Sequence, residues 1–186
     1  MLPALRELCF HEDIGSLGPF VEDMIRRSGC SLTTMAFSVR DSDVDAVKSC
    51  LSFTPALRDL QITCRDITSE TLDAFFTLLR RNKKLVPCLA SLQFHNCQTK
   101  VDLPSLVEML TARRDGGSLR RFKMDFEPEL KHGAWRPATP ELNRRLAQLR
   151  ALRSGELEVD IHPEAQWLDG YDHGVSIPFF WSLQLY

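Results

Sequence analysis

No long apolar run occurs in this chain of 186 residues, no C-x-x-C pair joins any of its six cysteines, and neither sign of charge dominates, with 23 Lys plus Arg against 25 Asp plus Glu. Each absence removes a class of function. A net charge of −2 supplies no global field to hold nucleic acid or an anionic membrane, so neither is expected as a partner. Without an apolar stretch of bilayer length, no membrane span is predicted. The cysteine spacing argues against a zinc ribbon or a redox motif. Cys9, Cys30, Cys50, Cys64, Cys88 and Cys97 read instead as reduced, mostly buried thiols, which suits the cytoplasm or the nucleus. Neither G-x-G-x-x-G nor G-x-x-x-x-G-K-[ST] is present, so the usual phosphate cradle is missing and no cofactor is expected. Arg6 and Glu7 interrupt the opening residues early enough that no secretory leader is predicted.

What the chain does have is a recurring phrase. The order apolar-x-x-apolar-x-apolar appears at Leu5, Leu8, Phe10; at Leu32, Met35, Phe37; at Leu57, Leu60, Ile62; at Leu89, Leu92, Phe94; and at Leu119, Phe122, Met124. The copies lie 27, 25, 32 and 30 residues apart, near the long end of the leucine-rich-repeat period. A helix pattern follows each copy. Thr68 or Ser69 caps a run with Leu72, Phe75, Phe76 and Leu79 on one face, and Asp102 caps another with Leu103, Leu106, Val107 and Leu110. Pro19 is expected near the start of a helix carrying Val21, Met24 and Ile25. Ser42 and Asp43 precede a fourth helix bearing Val44, Val47 and Leu51. Thr139 and Pro140 open a fifth helix, and Leu157, Val159 and Ile161 alternate with polar residues as a final strand.

A strand–turn–helix unit of this length cannot bury its apolar side alone, so neighbouring units must stack. The expected fold class is α/β, a leucine-rich-repeat solenoid of five to six irregular repeats with a curved parallel sheet inside and helices outside. The competing arrangement of alternating strands and helices, a doubly wound sheet, lacks its phosphate loop here. The solenoid is expected over residues 1–162 and a C-terminal capping segment over 163–186, within a single domain. In that segment Trp167, Tyr171, Phe179, Phe180 and Trp181 would cover the apolar end of the stack.

The strand type "LPALRELCF", the repeat length and the ending "LRALRSGELEVDI" together resemble the leucine-rich, ribonuclease-inhibitor-like portion of F-box proteins, in particular the divergent sets of mushroom-forming fungi. The resemblance spans about residues 2–162. It implies a noncatalytic protein-interaction scaffold of the kind that recruits substrates to a cullin-RING ubiquitin ligase. It also implies an F-box ahead of Met1; because Met1 leads straight into an apolar strand, that F-box and the N-terminal cap are read as missing from this chain. A ubiquitin-ligase adaptor is therefore expected as a partner only where an upstream F-box exists. Otherwise the reading is a free-standing leucine-rich binding or inhibitor module. The repeat consensus places Asn or Cys at its ninth position, where only Cys97 fits; Asp13, Arg40, Arg65 and Glu127 occupy the others, predicting irregular turns without a neat side-chain ladder.

Residues interleaved with the apolar strand positions point to the concave face. These are Glu7, Cys9 and His11; Thr34, Ala36 and Ser38; Asp59, Gln61 and Thr63; Ser91, Gln93 and His95; Arg121, Lys123 and Asp125; and Glu158, Asp160 and His162. Their charges suit a protein partner of unknown identity, although any solvated strand face carries the same residue types. The connection of residues 127–138 is the longest, and its Trp135 and Arg136 are either a partner anchor or packing against the flank. Asp160, His162, Asp172 and His173 are the one set with metal-ligand chemistry, the basis for a less favoured metal-dependent hydrolase. They lack the spacing of a metal motif, so no metal or catalytic residue is assigned.

Overall fold

A computed structural model describes residues 5–97, 99, 101–126, 144, 147–149, 151, 152 and 157–163. Each copy of the apolar phrase becomes a strand: β1 (Glu7–Asp13), β2 (Thr34–Val39), β3 (Asp59–Cys64), β4 (Ser91–Cys97) and β5 (Arg121–Phe126), joined by β6 (Glu158–Pro163). Between them lie α1 (Ile14–Ser28), α2 (Val44–Ser52), α3 (Ser69–Arg81) and α4 (Leu103–Asp115). All strands pair in parallel, and their spatial order β1-β2-β3-β4-β5-β6 is the order of the chain. A doubly wound sheet reverses its direction of growth at a switch point; this sheet has no reversal. Since crossovers share one hand, unidirectional growth puts successive helices on one face of the sheet, and α1 touches α2, α2 touches α3 and α3 touches α4.

Register is fixed by the phrase itself. Met35, Leu60, Leu92, Phe122 and Val159 stand abreast, as do Phe37, Ile62, Phe94 and Met124, bounded by Leu8 and Ile161 at the edges. These rows face the helices and are almost wholly buried from β2 to β5. The first member of each phrase, Leu32, Leu57, Leu89 and Leu119, closes the core where the strands begin, with Leu157 in the same role. Phe94 sits at the centre, edge-on to Phe76 of α3 at 5.8 Å between ring centroids and tilted against Phe122 at 6.3 Å.

Three local expectations change. α1 starts at Ile14, so Pro19 lies inside the helix rather than at its start, and Asp13 flanks it with no side-chain cap. Gly15 in the first turn of the helix has a packing reason: the Asp43 carboxylate of the next unit lies so close that a Cβ here would meet its Oδ1 at 2.1 Å. Second, Ser38 and Ser91, placed on the open side of the sheet, are buried, at 3% and 4% exposure. Third, the turns are not without a ladder. Asp13 and Arg40, both at the ninth position, pair across units at 2.9 Å, and Asp41 accepts a hydrogen bond from the Thr68 amide at 2.6 Å. Cys97 does not extend that row: Asn96 adopts the left-handed region at φ 56°, the register shifts, and the Cys97 thiol lies 3.0 Å from that of Cys64.

The caps at Thr68 and Asp102 are as expected. The Thr68 hydroxyl accepts from the Thr71 amide at 3.3 Å, and the Asp102 carboxylate from the Ser105 amide at 3.2 Å. Of the fifth helix pattern, whose apolar side is Leu142, Leu146 and Leu149, only Leu149 lies among the described residues and is buried, as is Leu152 beyond it. The connection of residues 127–138 and all of the capping segment but Pro163 fall outside the described residues.

Candidate functional site

Because the described helices lie on one face of the sheet, side chains of successive strands on the opposite face stand in register. Its first row runs Glu7, Thr34, Asp59, Ser91, Arg121, Glu158, and its second Cys9, Ala36, Gln61, Gln93, Lys123, Asp160. Parallel strands set neighbours in a row about 4.8 Å apart, so charges of opposite sign interact directly. Arg121 Nε bonds Glu158 Oε2 at 3.0 Å, with both side chains more than half exposed, a geometry that contributes under about 1 kcal/mol in water.

The third row holds the most tightly organised group. Thr63 stands opposite His95, and His95 Nδ1 lies 2.8 Å from Asp125 Oδ2 across β4 and β5. The other carboxylate oxygen of Asp125 is 3.7 Å from Lys123 Nζ, two residues along β5. Asp125 is mostly covered, at 16% exposure, and two potential cations converge on it. In the second row Gln93 donates to Ser91 Oγ at 3.4 Å. The sequence places Lys123 and Asp125 on one face by their spacing; that His95 reaches Asp125 follows only from the register between β4 and β5, which pairs Phe94 with Met124.

Not every candidate is brought into this group. Glu7 is exposed at the β1 edge, and Asp59 and Gln61 are half-buried two strands away from Lys123. His11 lies in β1, and His162 occupies the register position opposite Asp125; their side chains are outside the description, as are Trp135, Arg136, Asp172 and His173. Among the described residues no three His, Cys, Asp or Glu side chains converge as metal ligands, so Asp160 has no such set around it there. Thr63, His95 and Asp125 share a row, yet no hydrogen bond joins Thr63 to His95. The described thiols divide into exposed Cys9 and Cys88 and buried Cys30, Cys50, Cys64 and Cys97. No helix among the described residues is long and apolar enough to cross a membrane.

No protein-family profile and no curated protein matches the chain.

Proposed function

We propose that the protein is a noncatalytic interaction scaffold, a leucine-rich-repeat solenoid of the type that forms the substrate-recruiting part of F-box proteins, and that it docks a protein partner on the open face of its sheet. The observation that carries this reading is the unbroken sequential order of six parallel strands, which among the described residues leaves one face bare of helices and aligns its side chains in rows. Such a surface is wide and graded in charge, from the neutral β2, through Asp59 as the one charge on this face of β3, to Lys123, Asp125 and Arg121 on β5. It suits a folded partner better than a small molecule.

The test is site-specific photo-crosslinking in cells. A photoreactive side chain at Gln61 or Gln93 is expected to give a discrete protein adduct, one at Lys48 on the outer helix α2 none, and Lys123→Glu to diminish the adduct roughly tenfold. Equal labelling at all three positions, or none at Gln61 and Gln93, rejects the open face as the docking surface. The transcript 5′ of the Met1 codon decides the destination: an in-frame F-box directs the scaffold to a ubiquitin ligase, and a complete frame without one directs it to a free-standing binding module.

A further inference from the structure

The near balance of charge hides a segregation that appears only when the chain is folded. Among the described residues, the helix-to-strand connections emerge at one rim of the sheet, where helices end and strands begin, and the strand-to-helix turns at the other. Along the first rim, the segments 26–33, 52–58, 80–90 and 113–120 contain a single acidic residue, Asp115. The opposite rim carries Asp13, Asp41, Asp43, Asp66, Glu70 and Asp102 against the two cations Arg40 and Arg65.

Part of the basic rim has a structural cause. Arg26, Arg27, Arg80, Arg81, Arg113 and Arg114 occupy the last turns of α1, α3 and α4, where cations stabilise the negative end of the helix dipole. Arg26, Arg27, Arg80 and Arg114 are further neutralised by ion pairs with Glu22, Asp23, Glu108 and Asp115. Helix electrostatics do not account for the remainder. Arg6, Arg58 and Arg120 each stand one residue ahead of a strand. Backbone bonds of 2.7–2.8 Å from Thr33 to Arg6, Arg58 to Thr33, Ala90 to Arg58 and Arg120 to Ala90 tie them into one row. Alternate members of that row are about 10 Å apart. Lys83 and Lys84 lie beyond the end of α3, both exposed. Among the described residues Arg6, Arg58, Arg81, Lys83 and Lys84 make no ion pair. These charges are left for something outside the chain.

We infer that this rim is a second docking surface, for a carboxylate-rich segment of a partner polypeptide laid along the strand starts. Arginine and lysine fit either carboxylate or phosphate, but two features favour the peptide. Duplex nucleic acid presents a charge about every 1.7 Å and favours dense, net-positive surfaces, whereas these cations are spread over alternate strands of a chain with net charge −2 and an acidic far rim. A flexible acidic segment adjusts its carboxylates to that spacing and is steered to the rim by the same asymmetry that would repel it from the other.

The test uses the whole protein and a fluorescent peptide of alternating glutamate and serine, followed by anisotropy. Binding is expected, with affinity falling roughly tenfold between about 50 and about 200 mM salt. The triple variant Arg81→Glu/Lys83→Glu/Lys84→Glu is expected to lose it by roughly tenfold or more. The sites are exposed, and an unchanged thermal midpoint checks the fold. Glu70→Lys on the far rim and Lys123→Glu on the open face are expected to leave peptide binding intact, which separates this surface from the proposed open-face site. Peptide binding no tighter than that of a serine-only control, or indifferent to the triple variant, overturns the inference. So does tighter binding of a single-stranded oligonucleotide of equal charge, and so does a low-salt rise in mass without peptide, which would make a second copy of the chain the occupant.

Discussion

Arg113 shows what a single side chain can hold together. It is 3% exposed within α4, yet no carboxylate meets it; its guanidinium donates to the carbonyls of Leu79 at 2.8 Å, Leu85 at 2.9 Å, Asn82 at 3.2 Å and Val86 at 3.4 Å. Those of Leu79 and Leu85 lie at the C-terminus of α3 and in the turn beyond it, while those of Asn82 and Val86 also accept from the Leu85 and Leu89 amides at 3.0 and 3.1 Å. The grip also retains Val86 at φ 44°, a left-handed conformation that costs a β-branched residue of order 1–3 kcal/mol. Burial lowers the pKa of Arg113 from its ordinary value, but arginine stays charged throughout the accessible range. Arg113→Met is expected to destabilise by about 3 kcal/mol in urea unfolding, since the Leu79 and Leu85 carbonyls lose their guanidinium donor at once. In sequence this residue reads as one more exposed cation at a helix end, because nothing local reveals that the next unit's backbone closes over it. Cys50 is a second case: burial, and then Glu22 nearby, push its thiol up to about 11. A pKa raised on folding favours the thiol form in the folded state, so its contribution is complete below about pH 9 and is lost as pH climbs from there toward 11. Iodoacetamide at pH 8 is expected to label Cys9 and Cys88 in the folded protein, and Cys30, Cys50, Cys64 and Cys97 only after unfolding; mass spectrometry of the alkylated chain reads the outcome.

Among elements, the strands were the most legible and the turns the least. Strand positions follow from spacing alone, since each apolar phrase must put its members on one side of a pleat, and β2 to β5 begin two residues after the first leucine of each phrase. Thr68 and Asp102 were readable as caps because a polar acceptor immediately precedes a helical stripe; each substitution to Ala is expected to cost about 1 kcal/mol, measured by the thermal midpoint. Pro19 misled, because proline favours a first turn while α1 begins five residues earlier, at Ile14, in a turn where Gly15 admits the Asp43 carboxylate from the following unit. The Asn96 shift that sets Cys97 beside Cys64 is equally tertiary. Of the candidate site, the residues sharing a face were evident from alternation, but the convergence of His95 and Lys123 on Asp125 required the register between strands. The Asp41 turn carries a pH dependence. The Thr68 amide, and then the Thr71 hydroxyl, hold its carboxyl below the usual range. A lowered folded pKa makes that stabilisation complete above about pH 4 and lost as pH falls through the folded value. The stability difference between the native chain and Asp41→Asn is therefore expected to shrink below about pH 4 in unfolding curves taken across the acid range.

For the molecule as a whole, the governing fact is that each unit touches the one before and the one after it. The core is continuous but one unit deep, so a central defect divides it: Phe94→Ala, between Phe76 and Phe122, is expected to cost about 3–5 kcal/mol in chemical unfolding. It is also expected to raise amide exchange most in β3, β4 and β5, the strands bordering the cavity, with a smaller rise in β1. Uniform acceleration across all strands would instead show the sheet to be one indivisible unit. Sequential strand order has a mechanical corollary as well. Since adjacent strands are also consecutive along the backbone, a force drawing the two ends of the chain apart meets its layers in series and detaches them from an end inward. Under a stretching load the protein would lengthen by modest increments, each releasing one strand and its helix, and recoil as those layers dock again on the template still standing.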